Sequence, residues 1–260
     1  MPGQSSEIAR EIAPFADCGP LRTWSVIATI MGDLLRDPPD CISGQSLASL
    51  VGKMGISEQA LRVAVHRLKK DGWIESRREG RESFHYLSAQ ARQETEAVRP
   101  LIYGGVPPDA GDVTLVVAPP DLAQPLLRIL PKPATQLSAR CALIAESKGV
   151  LDERLLTVPL GPAEIPDWVA EVLAPKDLRA EFAMLTKQTL HAVDHLPEAP
   201  EMRLVLRLVI LHHWRRLVLR QPPLAEALLP AGWEGRQART VVTRALDMLP
   251  RVHVGNLKYL

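Results

Sequence analysis

The stretch from Ser46 to Ser88, SLASLVGKMGISEQALRVAVHRLKKDGWIESRREGRESFHYLS, constrains the fold of this chain more than any other. An apolar helix pattern begins near Ser46. Gly55 stands where that helix must stop, because glycine readily takes the left-handed conformation just past a helix end. Ser57 follows as an N-cap, with Glu58 in the first turn to suit the helix dipole. No Gly or Pro interrupts Ser57 to Lys70, so a second helix is predicted there. At about 100° per residue, Leu61, Ala64, Val65 and Leu68 share one face, joined at the start by Ser57. Gln59, Arg62, Val63, His66, Arg67 and Lys70 occupy the other. Asp71-Gly72 closes the helix. Trp73-Ile74 opens a strand, Arg77-Arg78-Glu79-Gly80-Arg81 reads as a hairpin tip, and Phe84-His85-Tyr86-Leu87 as the return strand.

Helix, tight turn, helix and basic hairpin follow one another in the order of a winged helix-turn-helix, a fold that lays its second helix in the DNA major groove. A helix with an apolar back and a front of Arg, Gln and His suits reading base edges and gripping phosphates. An exposed basic helix is by itself usually only a solvated face, and a basic hairpin alone means little. The charge count adds weight. Between Arg62 and Arg81 there are seven Lys or Arg against three Asp or Glu, whereas the whole chain carries a net charge of +1. Local positive charge on a nearly neutral protein is the footprint of a polyanion site. The expected DNA-contacting residues are Ser57, Gln59, Arg62, Val63, His66, Arg67 and Lys70 on the helix, and Arg77, Arg78 and Arg81 on the hairpin.

The length allows one to three domains, and the pattern divides into an α+β multidomain chain. Residues 1–20 read as an N-terminal tail. Residues 21–103 hold the winged module, with a first helix over Leu21 to Arg36 whose Trp24, Ile27, Ala28, Met31 and Leu34-Leu35 recur at helical spacing. A linker helix over Ser88 to Val98 ends at Arg99-Pro100, since the residue before Pro avoids helical angles. Residues 104–175 suggest a small ferredoxin-like α+β domain: a strand at Asp112 to Ala118, a helix at Asp121 to Leu130, then strands at Gln136 to Ala145 and Leu155 to Leu160. Residues 176–260 read as mostly helical, with helices over Leu178 to Leu196, Met202 to Arg220 and Arg236 to Leu249. The middle one is apolar on nearly every side yet carries Arg203, Arg207, Arg215, Arg216 and Arg220, the mark of a buried helix.

Several functions find no support in the pattern. No run of 18 apolar residues is present, and the first residues lack the apolar core of a signal peptide, so a cytoplasmic protein without a membrane contact is expected. Cys18, Cys41 and Cys141 show no ligand spacing. His212-His213 are adjacent on a helix and point about 100° apart, which suits packing better than chelation. Asp112, Asp121 and Asp152 are scattered, and neither a phosphate loop nor a nucleophile elbow appears. No metal, cofactor or catalytic residue is therefore expected. Three rivals stay open: a non-specific architectural DNA-binding protein, a metal-dependent nuclease using the central domain, and a protein-interaction module that uses the winged fold without DNA.

The chain also resembles the PaaX-type repressors of phenylacetic acid catabolism. The resemblance rests on Ser57 to Trp73 (Arg62, Arg67-Leu68, Gly72-Trp73), on Arg77 to Leu87 with Gly80-Arg81 and Tyr86-Leu87-Ser88, and on Trp214 to Ala238. Gln221 stands where the family commonly has an aspartate, and Gly104-Gly105-Val106-Pro107 replaces an Arg-rich segment. The resemblance implies a homodimeric repressor on a palindromic double-stranded operator. It also implies release by an aryl-CoA thioester such as phenylacetyl-CoA. The arginines of 203–220 and Trp214 are candidates for the effector pocket, against an equally good packing role.

Overall fold

The computed structural model describes residues 11–105, 113–145, 151–160, 165–222, 224–230 and 232–259. The class is α+β, rich in helix, with two small antiparallel sheets. A 3-10 turn, Ala13–Cys18, leads into helix α1 (Thr23–Leu34), the two-residue strand β1 (Ile42–Ser43), α2 (Gly44–Lys53), α3 (Glu58–Lys70), the hairpin β2 (Ile74–Glu79) and β3 (Glu82–Leu87), and the long helix α4 (Ala89–Tyr103). The first sheet has the order β1-β3-β2.

Local chemistry accounts for these boundaries. Helix α2 starts at Ser43, whose hydroxyl accepts from the Ser46 amide. Ser57 caps α3 in the same way, accepting from the Ala60 amide at 3.2 Å. Both helices stop on a left-handed glycine, Gly55 at φ 78° and Gly72 at φ 71°. The next two amides fold back each time: Gly55 N to Gly52 O and Ile56 N to Val51 O, then Gly72 N to Lys69 O and Trp73 N to Leu68 O. The same glycine stop, used twice, fixes the turn between the helices and the entry into the hairpin.

The second sheet comes from β4 (Val113–Val117), β5 (Ala134–Ser138), β6 (Cys141–Ala145) and β7 (Leu156–Leu160), all antiparallel in the order β5-β6-β4-β7. One of its faces, with Val116, Ala142 and Ile144, builds a small core with Leu126 and Leu130. Val113 and Leu143 join the main core instead. The C-terminal part is helical: α6 (Asp167–Leu173), α7 (Lys176–Asp194), α8 (Pro200–Val218), α9 (Ala225–Leu228) and α10 (Glu234–Met248). Its core is continuous with that of α1 to α3, so the N-terminal module and the C-terminal helices share one apolar interior. Helix α8 is the axis of that interior, and Trp214 is 1% exposed. At Gly235 a Cβ would meet the Trp233 ring at 2.1 Å, so the Trp233–Gly235 turn requires the missing side chain.

Five expectations are corrected. Helix α4 does not end at Arg99-Pro100 but runs through Pro100 to Tyr103. Proline removes one amide there, and the last carbonyls are taken up from other elements: Trp214 Nε1 donates to Ile102 O at 2.7 Å, and Arg239 Nη1 to Leu101 O at 2.9 Å and Gly104 O at 2.8 Å. The stretch Gln136 to Ala145 is two strands of a hairpin, turning at Ala139-Arg140 without a Gly or Pro signal. Of the helix expected over Asp121 to Leu130 only α5 (Leu126–Ile129) forms, because the preceding residues run as turn and coil. Arg77, Arg78 and Glu79 belong to strand β2, and the hairpin tip is Gly80-Arg81. Trp24, placed with the α1 core positions, is 44% exposed. Helices α6 and α9 fall in segments for which the sequence pattern predicts no helix. Asp112, the expected first residue of the central strand, lies outside the described residues.

Candidate nucleic-acid interface

Helix α3 presents the face its sequence promised. Leu61, Ala64 and Leu68 are buried, with Val65 half-buried, whereas Gln59, Arg62, Val63, His66, Arg67 and Lys70 are all exposed. The outer residues fall into two stripes. Arg62, His66 and Lys69 run along the side facing the hairpin, and Gln59, Val63, Arg67 and Lys70 along the outer side. Val63 is 64% exposed, an apolar residue held in solvent in the middle of a cationic surface. Within the helix the cations have little competition. Arg67 reaches Asp71 at 3.7 Å, but both side chains are more than half exposed, and such pairs hold weakly.

Between α3, the first turn of α2 and strand β3 lies a cleft of about 540 Å³. Arg62, His66 and Lys69 form one wall, Ser83 and His85 the other, with Gln45 at the end. His85 is buried; its Nδ1 lies 2.8 Å from the Ser76 hydroxyl. Burial, with help from the Lys69 charge, holds its pKa below the ordinary histidine value.

The hairpin divides its arginines. Cross-strand pairs share a face of a two-stranded ribbon. Arg78 pairs with Ser83 and so lies on the side of Ser76 and His85, above the cleft. Arg77 pairs with Phe84 on the opposite side, and its guanidinium lies 5.3 Å from the Tyr86 ring centre. Arg81 sits in the two-residue turn. All three are exposed, but only Arg78 shares a side with the α3 cations. Ser57 is exposed, and its hydroxyl is engaged as the helix cap.

Sequence reasoning missed Lys69, Gln45, Ser83 and His85 as cleft residues. Lys69 follows Arg62 and His66 at helical spacing and was findable; the others depend on the packing of α2 and β3 against α3.

Three arginines of the 203–220 segment, Arg207, Arg216 and Arg220, hold other parts of the fold together through acids. Asp33 of α1, fully buried, accepts from Arg207 Nε at 2.8 Å and Nη2 at 2.9 Å. Tyr103 O–H donates to the same carboxylate at 2.9 Å, and Arg207 Nη1 donates to Leu246 O and Leu249 O at the end of α10. Burial would raise the Asp33 pKa, but the Arg207 bonds and charge outweigh it and hold the carboxyl below its usual range. Arg216 binds Cys18 O and Glu181, and Arg220 binds Glu181. Trp214 is packed beneath Arg239, whose guanidinium pairs with buried Glu226. His212 and His213 are buried, and His213 stacks on Phe15. Burial first, then the neighbouring arginine charges (and His212 in the case of His213), lower their pKa values to about 4 and about 3. Among the described residues no three His, Cys, Asp or Glu come together as a metal site, and no helix is long and apolar enough to cross a membrane. Asp152 is engaged by Arg154.

Comparison with known proteins bears on both ends of the chain. Residues 22–91, which contain α1 to α3 and the hairpin, match the family described as PaaX-like protein. Residues 175–252, which contain α7 to α10, match the PaaX-like protein C-terminal domain. The chain is 28% identical over 247 residues to the transcriptional repressor PaaX of Escherichia coli (strain K12), covering 85% of this chain and 78% of that protein. Among solved structures, an uncharacterized protein from Mycobacterium tuberculosis is 18% identical and superposes with a TM-score of 0.50 over 87% of this chain and 96% of that one, a likeness of fold. With both of its characteristic domains present in order, this chain belongs to the PaaX-like protein family.

Proposed function

We propose that the chain is a sequence-specific DNA-binding transcriptional repressor that acts as a homodimer on a palindromic operator of aromatic-acid catabolism genes. Residues 21–103 serve as a winged helix-turn-helix, with α3 as the recognition helix and β2-β3 as the wing. Residues 104–175 serve as a ferredoxin-like domain, a reading supported by the all-antiparallel order β5-β6-β4-β7, and residues 176–260 as a helical regulatory domain. The observation that carries the DNA reading is the division of α3 into an apolar buried back and an exposed front of Gln59, Arg62, Val63, His66, Arg67 and Lys70. The name of the Escherichia coli relative, a transcriptional repressor, points the same way.

In this reading Arg62, Arg67 and Gln59 face base edges, where bidentate donors discriminate most. Val63 meets a thymine methyl. Lys69, Lys70, His66, Arg78 and Arg81 face phosphates, and Ser57 holds the helix start in register. Arg77, tied to Tyr86 on the other side of the ribbon, contributes least. Two such helices in a dimer reach half-sites about one turn of DNA apart. An aryl-CoA thioester such as phenylacetyl-CoA would release the operator by binding the DNA-free arrangement better.

Anisotropy titration of a labelled promoter fragment tests the reading. Replacing Arg62 and Arg67 together by Ala should cost at least a hundredfold in affinity with an unchanged melting temperature. Equal affinity for promoter and random DNA would favour an architectural binder, and unchanged affinity in the double variant would remove DNA contact through α3 altogether.

A further inference from the structure

A second, smaller concavity lies on the flank of the recognition helix. Trp24 and Ala28 of α1, Arg67 and Asp71 at the end of α3, Trp73 and Arg215 of α8 enclose about 280 Å³. Its composition is unusual for a surface groove. Two indoles face it, and Trp24, 44% exposed, is the large apolar side chain of α1 left in solvent. Arg215 is half-buried and, among the described residues, has no carboxylate within ion-pairing distance. It is held only by neutral oxygens: Nε donates to the Thr29 hydroxyl at 3.2 Å, and Nη2 to Ser25 O at 3.1 Å and the Ser25 hydroxyl at 2.9 Å. Burial lowers its pKa, and only the Tyr103 phenol, not a carboxylate, works against that. The other arginines of α8 that point inward, Arg207 and Arg216, each have an acid.

A cation held without a counter-charge beside two aromatic walls is matched by a flat aromatic group that carries an anionic or strongly accepting oxygen. A bare phosphate would leave the indoles unused. We propose that this concavity binds the aryl acyl group of a small ligand, with the ring between Trp24 and Trp73 and its carboxyl or acyl oxygen on Arg215. The volume suits a ring and a short acyl arm; any larger carrier would lie outside in solvent. The source is a free aryl carboxylate or an aryl thioester of coenzyme A. Arg67 connects the pocket to DNA. It lines this groove and also stands on the outer stripe of α3, held only by the weak contact to Asp71. A ligand that recruits Arg67 and DNA that recruits Arg67 therefore oppose each other, and the opposition is reciprocal.

The inference rests on the ligand-released reading of the previous subsection, and direct binding separates the two. Calorimetric titration of the full chain with phenylacetate, phenylacetyl-CoA and coenzyme A alone identifies the source. One of the two aryl ligands should bind and coenzyme A alone should not. Trp24→Ala, at a solvent-facing position, should weaken that binding at least tenfold while leaving the melting temperature and the ligand-free DNA affinity unchanged. Ala28→Leu, which fills the floor, should do the same and guards against a folding failure in the first variant. Binding that is equal in wild type and both variants overturns the pocket and leaves the ligand-released reading standing. Absence of binding by any aryl ligand overturns the pocket as well, as does a loss of DNA affinity in Trp24→Ala without a ligand effect, which would place the groove on the DNA backbone. Binding that is lost in the variants but never shifts wild-type DNA affinity supports the pocket and removes the release mechanism.

Discussion

Helices α3 and α8 are both rich in arginine and use it in opposite ways. Along α3 the apolar residues gather on one side, so the cations are left together in solvent, with the loose Asp71 contact as their internal partner. Along α8 apolar residues lie nearly all round: Arg203 in the first turn stays exposed, but an arginine in the middle of such a helix has no outward face to occupy. Arg207 is drawn inside and must be met by Asp33, from a position 174 residues away. The contrast shows what a count of charges leaves out. The same side chain is a free handle for a polyanion on an amphipathic helix and an internal clamp on a wholly apolar one, and the spacing of its apolar neighbours decides which.

The sharpest way to break the comparison is to remove the clamp. Arg207→Ala leaves the Asp33 carboxylate buried with its main counter-charge gone and frees two carbonyls at the end of α10. A loss of about 3–5 kcal/mol is expected in denaturant unfolding, against less than about 0.5 kcal/mol for Arg62→Ala on the exposed face. Equal losses would mean that the two helices do not differ as described.

A second effect belongs to α8 alone. His212 and His213 stay neutral in the fold because burial and the flanking arginines lower their pKa values to about 4 and about 3. An ordinary histidine in the unfolded chain takes its proton near pH 6.5, so acidification favours unfolding first. Their contribution is fully present above pH about 6.5 and is withdrawn as the pH falls towards 4, on the order of a few kcal/mol in total. Buried His85 adds in the same direction. Asp33, whose pKa is lowered, loses its contribution only below pH about 4. Melting temperatures from pH 7.5 to 4.5 should therefore fall steadily. His213→Phe, which keeps a ring against Phe15, should flatten the slope; an unchanged slope would put the titration elsewhere.

On α3 the expected effect is functional and smaller. Arg62→Ala and Arg67→Ala should each cost about 1–3 kcal/mol in operator affinity and relax preference at one base position, with stability unchanged. Operator mutagenesis scored by the same anisotropy titration separates base reading from phosphate contact. Uniform weakening over all sequences would move either residue to the phosphate group.

How much of this was legible in the sequence follows from the range of the forces involved. The α3 module was readable because its signals are local. A serine three residues before the amide it caps, a glycine past each helix end and an apolar stripe at helical period all lie within one turn of the residues they control. The Asp33–Arg207 clamp was not, because nothing near either residue names the other; an acid on an otherwise apolar helix face was the one available sign. Helix α4 continues past Pro100, and the donors that meet its last carbonyls, Trp214 and Arg239, lie more than 100 positions away. The hairpin in the central sheet was read as one strand because its turn uses Ala139-Arg140, residues without turn chemistry. For the candidate site, periodicity gave the front of α3, but the cleft needed β3 and α2 in place. Trp24 shows the reverse error: helical spacing placed it with the core, but the residues around it leave it 44% exposed.

The hairpin offers the finest version of the comparison, since Arg77 and Arg78 are adjacent, both exposed, and separated only by the two-residue period of a strand. Arg78 shares its side with Ser76, Ser83 and His85 and overhangs the cleft that Arg62, His66 and Lys69 line. Arg77 faces away, with its guanidinium on Tyr86. If the α3 front and the cleft side of the hairpin form one surface, Arg78→Ala should lower the slope of log affinity against log salt by about one, as expected for one lost phosphate contact. Arg77→Ala should leave the slope unchanged. Titrations at several salt concentrations on the same operator measure both. The opposite result, a slope that responds to Arg77 and ignores Arg78, would turn the DNA to the other side of the ribbon, away from the cleft, and leave Arg62 and Lys69 without a shared surface.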